Sequence, residues 1–375
     1  YDPPRDVGSG EVVTVFIPLK VVKYETYLIK IVSKDGGIVE GSYEIRSLKE
    51  NLEQYAEWLL GWDYRRAVTV VNSYTSTLTN YQVLVELNSS NFDFSKAKSN
   101  GEDVRFTSED GYTKLSYWIE EWDSVNKKAK LWVKVPTLAS SSNTTIYLYY
   151  GNPSATSESQ GSSTFEVFDD FSSYSIGSIP SGWSKRDFSG TGEWEINLKD
   201  GDKAVHIKTT STGYPSLLYK SITTSYTSYV IRALIMDDTS DNNNPHPGMV
   251  IAGQDSGNWD AVYMRESSDQ VVHAWATGGT VGFGSPAESY SFNAHQWYLF
   301  EAYVSGGKLK KLLINGTAVG GGFSDMSVKP QLSIVGFIHF TGTGHEGWMD
   351  LLIVRKWVSP EPWTDVGFEE VFGSQ

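Results

Sequence analysis

Two short stretches carry carboxylates at a spacing that suits glycan hydrolysis. Glu121 and Asp123 in "EEWD", and Glu193 and Glu195 in "EWE", stand two residues apart, which on a strand puts both side chains on one face. A glycosidase needs two carboxyl groups flanking one bond, roughly 5 to 9.5 Å apart. The same spacing also describes a charged, solvated strand face, and that is the reading taken here. There is no G-x-S-x-G elbow and no phosphate-binding loop. The six histidines are scattered, His339 and His345 are the nearest pair, and no H-E-x-x-H motif is present, so zinc is not expected. The sequence therefore predicts no catalytic residue and no enzymatic activity.

Calcium is the better-supported metal, because hard cations take carboxylate and carbonyl oxygens. "MDDTSDNNNP" (236–245) gathers Asp237, Asp238, Asp241 and Asn242 in one stretch, which also reads as a polar hairpin loop. A second candidate joins Asp169 or Asp170 to Asp350, since the first and last strands of a jelly roll often lie side by side. The ion expected at either place is structural; no other cofactor is expected. A sugar platform would need an exposed aromatic, and Trp259, Trp275, Trp297 and Trp348 are available. They alternate with apolar residues, so most belong to a core and none is assigned as a lectin site. Asn88, Asn143 and Asn315 begin N-x-Ser/Thr sequons and are candidate glycosylation sites.

These residues need sheets to position them. The 375-residue chain is too long for one ordinary core, and Trp, Tyr and Phe make up 14% of it, with 35 glycines, a composition that favours strands. The net charge of −14 argues against nucleic acid and anionic membranes as partners. No cysteine is present, which removes disulfides, thiolate metal sites and cysteine nucleophiles. No apolar run approaches a membrane span. The chain opens on Tyr rather than Met, so a preceding segment is expected to have been removed, and any anchor lies outside this sequence.

Residues 1–46 read as strands: "EVVTVFIPLKVV", in which Pro18 marks an edge or bend, then "YETYLIKIVS", the turn "KDGG" and the returning "IVEGSYEIR". Residues 47–60 read as a helix, capped by Ser47 with Glu50, carrying Leu48, Leu52, Tyr55 and Leu59 and stopped by Gly61. From Trp62 the pattern is all β. Tyr81, Val83, Val85 and Leu87 alternate, as do Ala129, Leu131, Val133 and Val135, which predicts a sandwich. Ile146, Leu148 and Tyr150 share the core face of "TTIYLYYGNPSA", and Tyr147 and Tyr149 share the other. That second face is either covered, by the neighbouring domain or the N-terminal segment, or exposed. "GNPSATSESQGSST" is the linker, and a dozen strand signals follow it, enough for a larger two-sheet jelly roll.

Five blocks in this order, "WDYRRAVTVVNS", "NYQVLVEL", "DVRFTSEDGYTKLSYWIEEWDS", "AKLWVKVP" and "TTIYLYYGNPSA", resemble a domain of unknown function from secreted and surface proteins of archaea and some bacteria. The resemblance covers about residues 62–157. "FEVFDDF", "HQWYLFEAYVSGGKLKKLLINGT" and "GWMDLLIVRKWVSPEP" resemble a concanavalin A-like (laminin G-like) jelly roll, which often follows that domain. The resemblance implies a β-sandwich module of extracellular architecture without assigned catalysis. It places Glu121 and Asp123 in a non-enzymatic block, while "EWEIN" lacks the third carboxylate of the retaining glucanase motif.

The expected fold is thus all-β, with tandem sandwiches: an N-terminal strand-rich segment and helix (1–61), a small sandwich (62–157), a linker (158–165) and a concanavalin A-like jelly roll (166–375). The expected function is that of a non-catalytic extracellular, cell-surface protein, structural or adhesive. It assembles with copies of itself into a filament or lattice through the N-terminal strand segment, or else that segment folds back on its own chain. The alternative is a glycan-binding, lectin-like module; a glycoside hydrolase stands third for want of a carboxylate set.

Overall fold

The structure, a computed structural model, describes residues 28–32, 38–42, 58–238, 246–342 and 344–372. The chain divides into two compact units, Tyr1–Glu57 and Trp58–Gln375. In the first, β1 (Leu28–Val32) and β2 (Ile38–Ser42) pair as an antiparallel hairpin, with Leu28 opposite Ser42 and Val32 opposite Ile38. That hairpin agrees with two β-branched runs around "KDGG". The expectations for Pro18, and for the helix 47–60 up to residue 57, lie outside the described residues; residues 58–60 form a bend and turn.

The second unit holds two sandwiches. The smaller opens with β3 (Tyr64–Asn72), β4 (Leu78–Asn88), β5 (Arg105–Thr107), β6 (Lys114–Leu115), β7 (Tyr117–Asp123), β8 (Lys128–Leu138) and β9 (Ser142–Tyr150). Strands β4, β8 and β7 form one sheet, and the sheet facing it runs β26-β3-β9-β5-β6, where β26 is the last strand, Trp363–Val371. Period-two alternation aims Val83, Val85, Leu131 and Val133 at Val68, Ile146, Leu148 and Tyr150, all buried in one core. The other face of β9 is covered, chiefly by residues just ahead of β3. Tyr149 is fully buried with Trp58, Trp62 and Ala155. Its hydroxyl donates to the Gly111 carbonyl at 2.9 Å and accepts from Arg65 Nη1 at 3.1 Å. The Arg65 guanidinium lies 4.1 Å from the Tyr147 ring and 4.4 Å from that of Trp58.

After α1 (Gly161–Thr164), a single turn, come β10 (Val167–Asp169), β11 (Ser184–Asp187), β12 (Gly192–Lys199), β13 (Asp202–Thr209), β14 (Gly213–Tyr226), β15 (Ser228–Asp237), β16 (His246–Asp255) and β17 (Asn258–Arg265). These are followed by β18 (Gln270–Thr277), β19 (Thr280–Ser289), β20 (Tyr298–Ser305), β21 (Lys308–Ile314), β22 (Thr317–Ala318), β23 (Met326–Ser327), β24 (Leu332–Thr341) and β25 (Glu346–Lys356). One sheet runs β12-β13-β25-β15-β20-β21-β22, with β10 on β25 and β23 on β21; the other runs β11-β14-β24-β16-β17-β18-β19. The main core lies between them. First and last strands meet, with Asp169 opposite Leu352.

One boundary differs from the sequence reading. Residues after 166 are not all jelly roll, because β26 (Trp363–Val371) returns to the small sandwich and pairs with β3, Trp363 opposite Val71 and Val371 opposite Tyr64. Val366 packs on the small core, and Glu370 and Glu369 meet Arg65 and Arg66. "SPEP" ends the jelly roll but not the chain's strands. The larger sandwich is therefore inserted between β9 and β26, and two covalent crossings join the lobes.

Their junction is packed and ionic. Trp132, Phe165 and Ile353 form a shared cluster with Leu84, Trp118, Phe168 and Leu351. Arg232 on β15, buried, reaches Glu120 on β7 at 2.6 Å and Glu301 on β20 at 3.0 Å. Burial opposes ionisation of Glu120, but Arg232 and the Trp132 indole outweigh it and hold that carboxyl below the usual carboxylate range.

Candidate functional site

Three of the four carboxylates singled out in the sequence are engaged at the surface. Asp123 accepts from the backbone N–H groups of Val125 and Asn126 in a hairpin turn, and Glu121 stands 3.6 Å from Lys130. Glu195 bonds Asn197 and lies 3.5 Å from His206, while Glu193 projects from β12 into solvent. His339 and His345 are both buried, and burial pushes His339 down to about 3.

Of the calcium candidates, Asp241 lies outside the described residues. Asp237 is fully buried at the end of β15. Asp238 accepts from Lys199 Nζ at 2.8 Å, His295 Nδ1 at 2.6 Å and Trp348 Nε1 at 2.8 Å. An ion there would have to displace these donors. At the other place Asp350 sits beside a bulge where Leu351 takes φ of +49°, and its Oδ1 accepts from the Leu351 N–H at 2.6 Å. Burial, reinforced by the charges of Asp170, Asp202 and Asp169, pushes Asp350 up to about 7. Asp170 and Asp350 thus share one acidic neighbourhood. Among the described residues no group of three or more His, Cys, Asp or Glu has the arrangement of a metal site. The sequons are accessible, with Asn88, Asn143 and Asn315 all exposed.

The tryptophans named from the sequence serve packing. Trp259 is fully buried, Trp348 is buried and stacks on His206 at 4.3 Å, and Trp275 stacks on His273 at 5.2 Å, half-buried; Trp297, half-buried, donates to Asp200 at 3.3 Å. Trp259 belongs to a second apolar cluster, with Tyr263, Ile334 and Ile338, on the seven-stranded sheet's outer face. That sheet rolls over its own face. Tyr214 on β14 and Phe283 on β19 are separated by four strands, so a flat sheet would hold them roughly 24 Å apart at about 4.8 Å per strand. Their ring centroids are 6.1 Å apart. Phe188 likewise reaches Trp259 at 5.8 Å. The concavity is filled by its own side chains, with Tyr214 and Phe283 about half exposed at its rim.

A cavity of about 470 Å³ opens instead between the two sandwiches. Trp118 of β7 and the residues around α1 form one wall; the end of β10, the Ser172–Tyr174 loop and Lys220 form the other. Trp118 meets Phe168 edge-on at 5.3 Å, and Phe165 stacks on Phe168 at 6.1 Å and 8°. Asp169 holds the second wall, accepting from the Tyr174 hydroxyl at 2.8 Å and from Trp183 Nε1 at 3.1 Å. Sequence reading missed this aromatic group because Trp118 and Phe168 belong to different sandwiches; the runs of serine beside both were the available signal.

The second open feature is β26. It lies at the edge of its sheet and, among the described residues, pairs only with β3. A bulge sets Gly367 and Phe368 opposite Ala67, and Phe368 is 94% exposed, with Trp363 56% exposed on the same strand.

Residues 100–196 match the family described as a domain of unknown function, DUF2341. The match starts in the small sandwich, ends in the jelly roll and includes both cavity walls apart from Lys220. It agrees with the resemblance to such a domain followed by a jelly roll, although with bounds different from 62–157. No curated protein matches the chain. Among solved structures, the chain is similar to the carbohydrate-binding module CBM66 from Bacillus subtilis (11% identity, 47% of this chain and 96% of that one, TM-score 0.34). It is similar to a family 16 glycoside hydrolase endo-glucanase from Bacteroides ovatus (11%, 50% and 99%, 0.36) and to the galectin LEC-6 of Caenorhabditis elegans (15%, 42% and 93%, 0.27). The likeness is one of fold.

Proposed function

We propose that this is a non-catalytic, extracellular surface protein that assembles with copies of itself by adding a strand to the open edge of β26. The observation that carries this reading is the edge itself: among the described residues, positions 363–370 pair along one side only, with β3, and bear an almost fully exposed phenylalanine. Soluble proteins guard such edges against pairing with other chains. The bulge here is a partial guard, but Phe368 and Trp363 are the opposite of one. The occupant is the N-terminal strand segment of another copy. A two-stranded hairpin, which is all that β1–β2 form among the described residues, is marginal in water and gains from a larger sheet. Main-chain hydrogen bonds along the edge would supply affinity and the aromatic residues register. Exposed sequons suit a surface location.

Light scattering and negative-stain electron microscopy of the full chain test this. Wild type should form concentration-dependent oligomers or filaments, and Phe368→Lys, at a position open to solvent, should leave monomers with unchanged melting. A wild type that stays monomeric at high concentration ends the proposal.

A second reading, glycan recognition, is favoured by the aromatic cavity between the sandwiches.

A further inference from the structure

We infer that the cavity between the two sandwiches binds an uncharged oligosaccharide, an inference that rests on the glycan reading above and locates its site away from the rolled sheet. The floor offers aromatic surface held in a fixed pose. Trp118 and Phe168 are half-buried, each wedged against Phe165 at 5.6 and 6.1 Å. Gly161 is required by this packing, since a Cβ there would lie 2.2 Å from the Phe168 ring. The platform therefore loses little freedom on binding, which limits the cost of association.

The rim supplies hydrogen-bonding groups of both kinds. Asp170 is exposed and uses Oδ1 for the Ser172 N–H and hydroxyl, while Oδ2 accepts from no protein donor among the described residues. Gln160, Ser162 and Ser173 are exposed around the same opening. Lys220 stands 3.7 Å from Asp169, whose carboxylate also accepts from Tyr174 and Trp183 and so is already engaged within the protein.

This chemistry selects among ligands. Two carboxylates and one ammonium do not suit a phosphate or another anion. A rim of serines and an amide would strip hydrogen bonds from water for no return against a lipid tail. A pyranose fits both parts, setting its C–H face on an aromatic ring and its hydroxyls on the rim. The volume falls within the roughly 300–1,000 Å³ usual for small-ligand sites, which gather at domain junctions. A neighbouring hollow of about 500 Å³, also lined by Ser159 and Gln160, extends the path for a chain of more than one sugar.

The test is a glycan array of neutral oligosaccharides, three to six residues long, probed with the full-length protein, with each hit titrated by calorimetry. Binding should weaken at least tenfold in Ser173→Trp, which fills the opening from an exposed position, and in Trp118→Ala and Asp170→Asn. Because Trp118→Ala loosens the junction, Ser173→Trp with unchanged melting carries the decision. Phe283→Ala should bind as wild type does. If Phe283→Ala abolishes binding and Ser173→Trp preserves it, the cavity assignment falls and glycan recognition moves to the rolled sheet. If no neutral oligosaccharide binds, the cavity and the glycan reading fall together.

Discussion

Asp350 offers a quantitative check on the acidic side of the jelly roll. Its carboxyl is pushed up to about 7, first by burial and then by Asp170, Asp202 and Asp169. In the unfolded chain it would titrate near 3.9. Between about pH 4 and pH 7 the folded protein therefore holds a proton that the unfolded chain has released, so stability falls as pH rises through that window and stays reduced above it. Three pH units at about 1.4 kcal/mol each give a ceiling of about 4 kcal/mol. Water reaching a side chain that is only partly enclosed lowers this, and about 2 kcal/mol is the working figure. Asp350→Asn keeps an acceptor for the Leu351 N–H but has no charge to desolvate. In scanning calorimetry it should melt with wild type near pH 4 and roughly 3 °C above it at pH 8. A gap that is equal at both pH values, or a variant less stable at pH 8, would refute the account. The same pair of proteins addresses the proposed calcium ion. If Asp170 and Asp350 hold one, calcium should raise wild-type melting at pH 7 and leave Asp350→Asn unmoved; wild-type melting insensitive to both calcium and chelator would remove the ion.

The remaining expectations concern the frame. Arg232→Met strands both Glu120 and Glu301 and should cost about 3–5 kcal/mol in denaturant titration, whereas the triple change Arg232→Met with Glu120→Leu and Glu301→Leu should recover most of it; an additive triple variant would contradict this. Tyr149→Phe removes one hydroxyl that serves both Gly111 and Arg65, and a loss of about 1–2 kcal/mol is expected, with a loss below 0.3 kcal/mol counting against that network. Peptide mapping of protein from its native source should find glycan on Asn88, Asn143 or Asn315, and three bare asparagines would withdraw the sequons.

Alternation by twos wrote most strands into the sequence. Tyr81 to Leu87 and Ala129 to Val135 bury their intended faces because a strand with one wet side admits only one register. The absence of cysteine and the net charge of −14 were equally local facts. What sequence could not decide was partnership over long range. Nothing in "WTDVGFEEV" says that it returns to β3 some three hundred residues earlier, because any β-branched run can complete any unfinished edge. Tyr149 found its cover in Trp58 and Trp62, and Trp259 in a sheet rolled on itself; a tryptophan in a strand looks the same whether it faces a core, a neighbour or water. The cavity joins Trp118 to Phe168 and Asp170 only because the jelly roll is inserted into the small sandwich and anchored at both ends. Composition fixed the material and period fixed the strands. Which edges met, and so which surfaces stayed open, followed from burying two sheets' worth of apolar faces at once.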